Sequence, residues 1–136
     1  MATRLAPAIS PDTKFFWDGL RDNKLLIQRC GRCGQLRHPP RPMCPNCRSL
    51  DWEAIESSGR GTVYSYVMPH EPKFPFFEYP YIVVLVDLAE GVRLVSNLCE
   101  IDPADVKVGM LVEVFYQTFG SSGPDDLVLH QFRPST

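Results

Sequence analysis

Four cysteines in this 136-residue chain form two pairs of equal spacing, Cys30-Gly-Arg-Cys33 and Cys44-Pro-Asn-Cys47, with ten residues between the pairs. Two C-x-x-C pairs match the tetrahedral four-cysteine zinc ribbon, with a spacer a little shorter than the commonest range. Two intervening residues let a tight turn aim both sulfurs at one ion. Gly34 can take the positive φ that such a knuckle needs, and Pro45 fixes φ inside the second. Between them, Gln35–Met43 carries three prolines and reads as an extended excursion, not a helix. Four thiolates leave no position for water, so one Zn2+ held by Cys30, Cys33, Cys44 and Cys47 would be structural. Iron could use the same ligands. A redox C-x-x-C comes once, near a βαβ unit, and disulfides do not suit a chain without a secretory signal.

No catalytic constellation stands beside this metal motif. His38, His70 and His130 have no nucleophile at a telling spacing, and each reads as a packing or surface residue. Cys99 ends an apolar strand and reads as a core thiol. Glycine loops that cradle phosphate and G-x-S-x-G elbows are lacking. Aromatic residues stand out instead. Phe15, Phe16 and Trp17 are consecutive, so on a helix they diverge by about 100° per residue. Either the ribbon folds over one side of them, or they form a partner surface. The loop Pro69–Pro80 carries Phe74, Phe76, Phe77 and Tyr79 among four prolines that favour a preorganised backbone. Four aromatics are costly to leave in water, and long loops in compact domains are often functional. Docking on a partner or apolar ligand is preferred to packing on the chain's own barrel.

The elements that must position these groups follow from local pattern. Residues 1–9 read as frayed. Ser10 suits a helix cap, Pro11 the first helical position and Asp12 the positive dipole end, so a helix runs to about Asp22. Lys24–Arg29 enters the ribbon as a strand. Residues 48–58 leave it, with Trp52 packing on the metal module. Gly59-Arg-Gly61 signals a turn or bulge. Thr62–Met68 alternates, with Val63, Ser65 and Val67 opposite Tyr64, Tyr66 and Met68. Tyr81–Leu88 and Val92–Leu98 form a hairpin about Ala89–Gly91. Asp102–Asp105 reads as a short helical turn, and Leu111–Phe119 and Leu127–Phe132 as the last strands. Five strands with a helical element between the third and fourth suit a small Greek-key barrel of the OB type. The expected fold is mainly β: an N-terminal tail and helix (1–25), a zinc ribbon (26–58) and a five-stranded OB-type barrel (59–136).

Composition sets the outer limits. At 44% apolar and 22% charged residues, the chain can bury a core without disulfides. Its 13 prolines argue against long helices. No apolar run reaches membrane-spanning length and no signal peptide is visible, so a cytoplasmic protein is expected. Residues 1–50 carry nine Lys/Arg and three Asp, a net +6, while residues 51–136 carry five basic and thirteen acidic groups, a net −8. A zinc tetrathiolate lowers the first half by two charges. Ribbons and OB barrels often bind nucleic acid, and Tyr64 and Tyr66 could stack on bases. A barrel at −8 repels a polyanion, so nucleic acid is the weaker alternative.

The order of these motifs carries a resemblance. The helix, Cys30-x-x-Cys33-Gly34…Cys44-Pro45-x-Cys47, the Gly59-x-Gly61-Thr62-Val63 strand and Val108-Gly109-Met110 together resemble a family of rubredoxin-like zinc-ribbon plus OB-fold proteins, once called a domain of unknown function. The resemblance spans residues 11–133. It implies a non-catalytic partner of a thiolase-superfamily enzyme: a thiolase, an acyltransferase or a lipid-transfer-protein-like aldolase of steroid side-chain breakdown. It further implies that the OB module helps to cover an acyl-CoA site shared with that partner, and that the partner supplies the nucleophile. A dimeric partner implies a heterotetramer. On this reading Phe15, Phe16, Trp17, Phe74, Phe76, Phe77 and Tyr79 dock on the partner. Arg32, Arg37 and Arg41 contact CoA phosphates or partner carboxylates, or are simply solvated. An acyl-CoA hydrolase is disfavoured, because no nucleophile–base pair is visible.

Overall fold

The structure, a computed structural model, describes residues 3–135. Its strands are β1 (Thr3–Arg4), β2 (Leu26–Cys30), β3 (Leu36–Arg37), β4 (Trp52–Glu56), β5 (Arg60–Val67), β6 (Val83–Leu88), β7 (Arg93–Asn97), β8 (Leu111–Ser121) and β9 (Leu127–Pro134). One helix, α1 (Lys14–Arg21), precedes β2, and a 3-10 turn (Pro103–Asp105) separates β7 from β8. The chain is mainly β, as expected.

Helix α1 starts later than its sequence signals suggest. Ser10–Thr13 forms a turn first, in which the Thr13 and Lys14 amides both donate to the Ser10 carbonyl. The helix ends where Asn23 takes φ 57°. There the Lys24 amide bonds the Gly19 carbonyl and the Asn23 amide bonds that of Leu20, which satisfies carbonyls the helix leaves over. Its buried face is Phe16, Gly19 and Leu20.

Strands β2, β3 and β4 form a small antiparallel sheet, with β2 in the centre. The β2–β4 register runs from Leu26↔Glu56 to Cys30↔Trp52. The larger sheet has the order β1-β8-β5-β6-β7, with β9 on β8. It curls until β9 meets β7 through a parallel bridge at Leu98↔Phe132 and a Cys99 amide bond to the Phe132 carbonyl, 2.8 Å. This is the five-stranded OB order, with the 3-10 turn between its third and fourth strands.

Two local expectations need correction. The N-terminal tail is not wholly frayed: Thr3–Arg4 pairs in parallel with Gly120 and Ser121 of β8, while Met1 and Ala2 lie outside the described residues. Alternation along β5 breaks at a bulge between Val63 and Ser65. The extra residue leaves Tyr64, Ser65, Tyr66 and Val67 all exposed.

One apolar core spans the helix, ribbon and barrel. Phe16 and Leu20 of α1, Leu25, and Ile27 of β2 pack with Val63, Val84, Val86, Leu94, Val112 and Phe132 of the barrel. The junction is also tied by polar bonds. Ser57 Oγ and the Ser58 amide donate to the two carboxylate oxygens of Glu90, at 2.6 and 2.9 Å. Burial would raise the Glu90 pKa, but these two bonds outweigh it and hold the carboxyl below its ordinary range.

Candidate functional site

Residues Cys30–Gly34 and Cys44–Arg48 form two matching knuckles. The Gly34 amide donates to the Cys30 carbonyl (3.1 Å), and the Arg48 amide to that of Cys44 (2.9 Å). Each knuckle closes with the residue after its second cysteine at positive φ, Gly34 at 79° and Arg48 at 64°. Strand β2 delivers Cys30 directly, and the Gln35 carbonyl accepts the Cys30 amide at 2.9 Å.

The four Sγ atoms lie within 4.8 Å of one another. Cys30 and Cys47 sulfurs are 3.5 Å apart, and those of Cys33 and Cys44 are 3.6 Å apart. A tetrahedron of Zn–S bonds of about 2.3 Å places sulfurs about 3.8 Å apart, so the donor set fits a four-coordinate Zn2+. Outer bonds orient the sulfurs. The amides of Cys33 and Arg32 donate to Cys30 Sγ at 3.4 Å each, and Asn46 Nδ2 lies 3.6 Å from Cys33 Sγ. Those amides lower the Cys30 pKa. At Cys47 the Ser49 amide also lowers the pKa, but burial and thiol bonds to the neighbouring sulfurs outweigh it and push the group up. Four thiolates so close need a cation between them, which binds by displacing the remaining protons.

The aromatic loop is braced from below. The Phe77 ring stacks on Tyr81, with centroids 4.5 Å apart and planes at 8°. The Arg4 guanidinium lies 4.5 Å from the ring centres of both Phe77 and Phe119, and also bonds Asn97 Oδ1. The Phe74 amide donates to the Tyr79 hydroxyl at 3.0 Å. Phe76 and Tyr79 are half-buried, while Phe74 is 55% exposed. A cleft of about 560 Å3 runs beside the loop, lined by Arg4, Phe77, Tyr81, Gln117 and Gln131 among others.

Two of the candidate partner contacts are spent inside the chain. Phe16 is 4% exposed and belongs to the core. Arg37 is 5% exposed, with Nε donating to Gln28 Oε1 and Nη2 to the Arg41 carbonyl, both at 2.9 Å. It shapes the ribbon excursion and is not free for a phosphate. Arg32 and Arg41 are exposed. Phe15 and Trp17 are half-buried, and Phe15 meets Trp52 at 4.7 Å. Trp52 therefore packs on the helix as well as standing opposite Cys30. Burial raises the Cys99 pKa and keeps it a thiol. Sequence reasoning missed Arg4, Tyr81 and Glu90, none of which carries a motif. The positive φ of Arg48 was missed as well.

Comparison with known proteins bears on what this ribbon and barrel are. The family models described as "ChsH2, rubredoxin-like zinc ribbon domain" and "ChsH2, C-terminal OB-fold domain" match residues 17–53 and 54–117. A DUF35 domain-containing scaffold protein of Methanocaldococcus jannaschii is 32% identical over 120 residues, which are 86% of this chain and 85% of the relative. The chain belongs to the DUF35 family.

This DUF35 chain is also similar to part of a larger protein and to chains of about its own length. A probable enoyl-CoA hydratase alpha subunit of Thermomonospora curvata is 45% identical over 134 residues, 98% of this chain. The chain spans 41% of that relative's length. Benzoylsuccinyl-CoA thiolase subunit BbsA of Thauera aromatica is 31% identical over 99 residues, 68% of each chain. Among solved structures, a chain of an "Ltp2-ChsH2(DUF35) aldolase" matches with a TM-score of 0.89 and 45% identity, covering 96% of this chain and 100% of that one. No helix among the described residues is long and apolar enough to cross a membrane.

Proposed function

We propose that this DUF35 chain is a non-catalytic subunit that binds and stabilises a thiolase-superfamily enzyme, a thiolase-like or lipid-transfer-protein-like aldolase chain, in the cytoplasm. One structural Zn2+ sits between Cys30, Cys33, Cys44 and Cys47 and clips the two knuckles of the ribbon together. The ion supplies rigidity, since four sulfurs leave it no open position for substrate. The likeness along the whole chain to a subunit of an aldolase complex carries the reading, and the thiolase subunit BbsA supports it.

The chain's own residues would act by position. Arg4 and Tyr81 brace Phe77 from within. The loop thereby presents Phe74, with Phe76 and Tyr79 beside it, at little entropic cost on docking. Phe15 and Trp17 add a second contact region. Arg32 and Arg41 stand free to meet partner carboxylates or the phosphates of an acyl-CoA whose site the two chains share. With a dimeric partner the assembly is a heterotetramer.

The test is to purify the tagged chain from its native host and assay metal on the same sample. Co-purification of a thiolase-superfamily chain with about one zinc per DUF35 chain is expected. Nucleic acid in the eluate without such a chain would overturn the proposal.

A further inference from the structure

The aromatic loop and the Trp17 side of α1, the two contact regions of the proposed function, line one groove of about 290 Å3. Phe77 and Tyr81 line it from the loop and its base, Val83 from β6, Val95 from β7 and Trp17 from α1. The sheet continues its apolar floor. Val83 and Leu85 face outward, opposite the buried Val84 and Val86. Strand register sets Val67 beside Val83, and Val95 beside Leu85. Val67 and Val95 are each 60% exposed. The outer face of an antiparallel sheet is ordinarily polar, so an aliphatic row there marks a contact surface.

One cation stands in this wall. Arg4 is the only Lys, Arg, Asp or Glu that lines the groove. Its Nη1 donates to Asn97 Oδ1 at 3.3 Å, and it forms no ion pair among the described residues. Glu78, which shares the neighbouring cleft with Arg4, is exposed and stays outside ion-pair distance. Burial strips part of the hydration of Arg4 and lowers its pKa, and no carboxylate compensates. Most of its five N–H donors are left for a carboxylate, which a guanidinium takes bidentately.

We propose that one segment of the thiolase-superfamily partner lies in this groove, with apolar side chains on Val83 and Val95 and one Asp or Glu paired with Arg4. Continuity argues for the occupant: a single groove touches both contact regions, so one segment reaches from the loop to the helix. Charge argues for its chemistry, since a segment without an acid would desolvate Arg4 further and leave it unpaired. The inference rests on the proposed function and adds Arg4, Val83 and Val95 to its contacts.

The test measures assembly of the zinc-loaded chain with the thiolase-superfamily chain that it co-purifies, and the thermal midpoint of each variant. Val95→Lys should weaken assembly about tenfold or more at an unchanged midpoint. Leu111→Lys, at a position that is also 60% exposed but lies outside the groove, should assemble like the wild type. Arg4→Glu should weaken assembly as well. Because Arg4 also braces Phe77, the partner supplies the control: Asp→Lys or Glu→Lys at one of its positions should restore assembly with Arg4→Glu, which a purely structural loss would not allow. Hydrogen exchange should place that position in a single protected segment of the partner. Undiminished assembly of Val95→Lys, an equal loss in Leu111→Lys, or failure of every such substitution to rescue Arg4→Glu would overturn the inference and leave the proposed function standing. A wild-type chain that captures no thiolase-superfamily chain would overturn both.

Discussion

Single residues set the chemistry of this molecule, and the cysteines show how far their types alone carry. C-x-x-C spacing locates all four sulfurs, because two residues fit one tight turn whatever surrounds it. Gly34 at positive φ was legible for the same reason. Arg48 at positive φ was not, because nothing in an arginine advertises a left-handed backbone. With one structural Zn2+ in the cluster, as proposed, stripping the metal with a chelator, or Cys44→Ser, should unfold the ribbon and lower the thermal midpoint by ten degrees or more, on the order of 2–4 kcal/mol for a domain this size. Circular dichroism with and without added zinc checks this. His38 gives a pH signature. Burial, with His130 a smaller cause, holds its pKa at about 4, below the ordinary value of about 6.5. The unfolded chain therefore takes up the proton first as pH falls. Stability is full above about pH 6.5, drops by roughly 2–3 kcal/mol as pH falls to about 4, and is level below that. Urea midpoints at pH 7 and pH 5 should differ less in His38→Phe than in the wild type, since any zinc loss is common to both.

Elements were legible where pattern is local. The β-branched run of β6 and the turn after it predict the hairpin, and the Asp102-Pro103 cap predicts the 3-10 turn. Asp102 indeed accepts from the Ala104 amide at 2.9 Å. What escaped depends on distant chain. Two residues of β1 carry no periodicity, and only β8 makes them a strand. The β5 bulge is a two-against-one match with β6, which no alternation within β5 can reveal. The Pro11 signal overreached because the Ser10–Thr13 turn satisfies the same carbonyl that would start the helix. The Gly59 turn was visible as a glycine, but not its reason. Gly59 has φ 77°, and a Cβ there would lie 2.2 Å from Val114 Cγ1. Gly59→Ala should destabilise the protein by about 2 kcal/mol or more, from backbone strain and overpacking together. Thermal melts should show this, while zinc content stays unchanged.

At the scale of the whole molecule, sequence suggested modules by charge and texture, and the structure joins them through one core. Phe16, Leu25 and Ile27 share that core with Phe132 near the chain's far end. Such sharing is invisible in composition, because burial partners are chosen by topology. Surface roles were harder still to read. Phe16 and Phe74 look alike in sequence, yet one is 4% exposed and the other 55%. An outward Phe74 on a loop braced by Arg4, Phe77 and Tyr81 has the features of a docking residue rather than a core residue. The measurement that tests the account most directly reconstitutes the proposed thiolase-superfamily partner with and without this chain and assays acyl-CoA carbon–carbon bond chemistry. The account predicts an insoluble or inactive partner alone, full activity with the wild-type chain, and at least about tenfold weaker assembly with Phe74→Ser at an unchanged thermal midpoint. Full activity from the lone partner would contradict it.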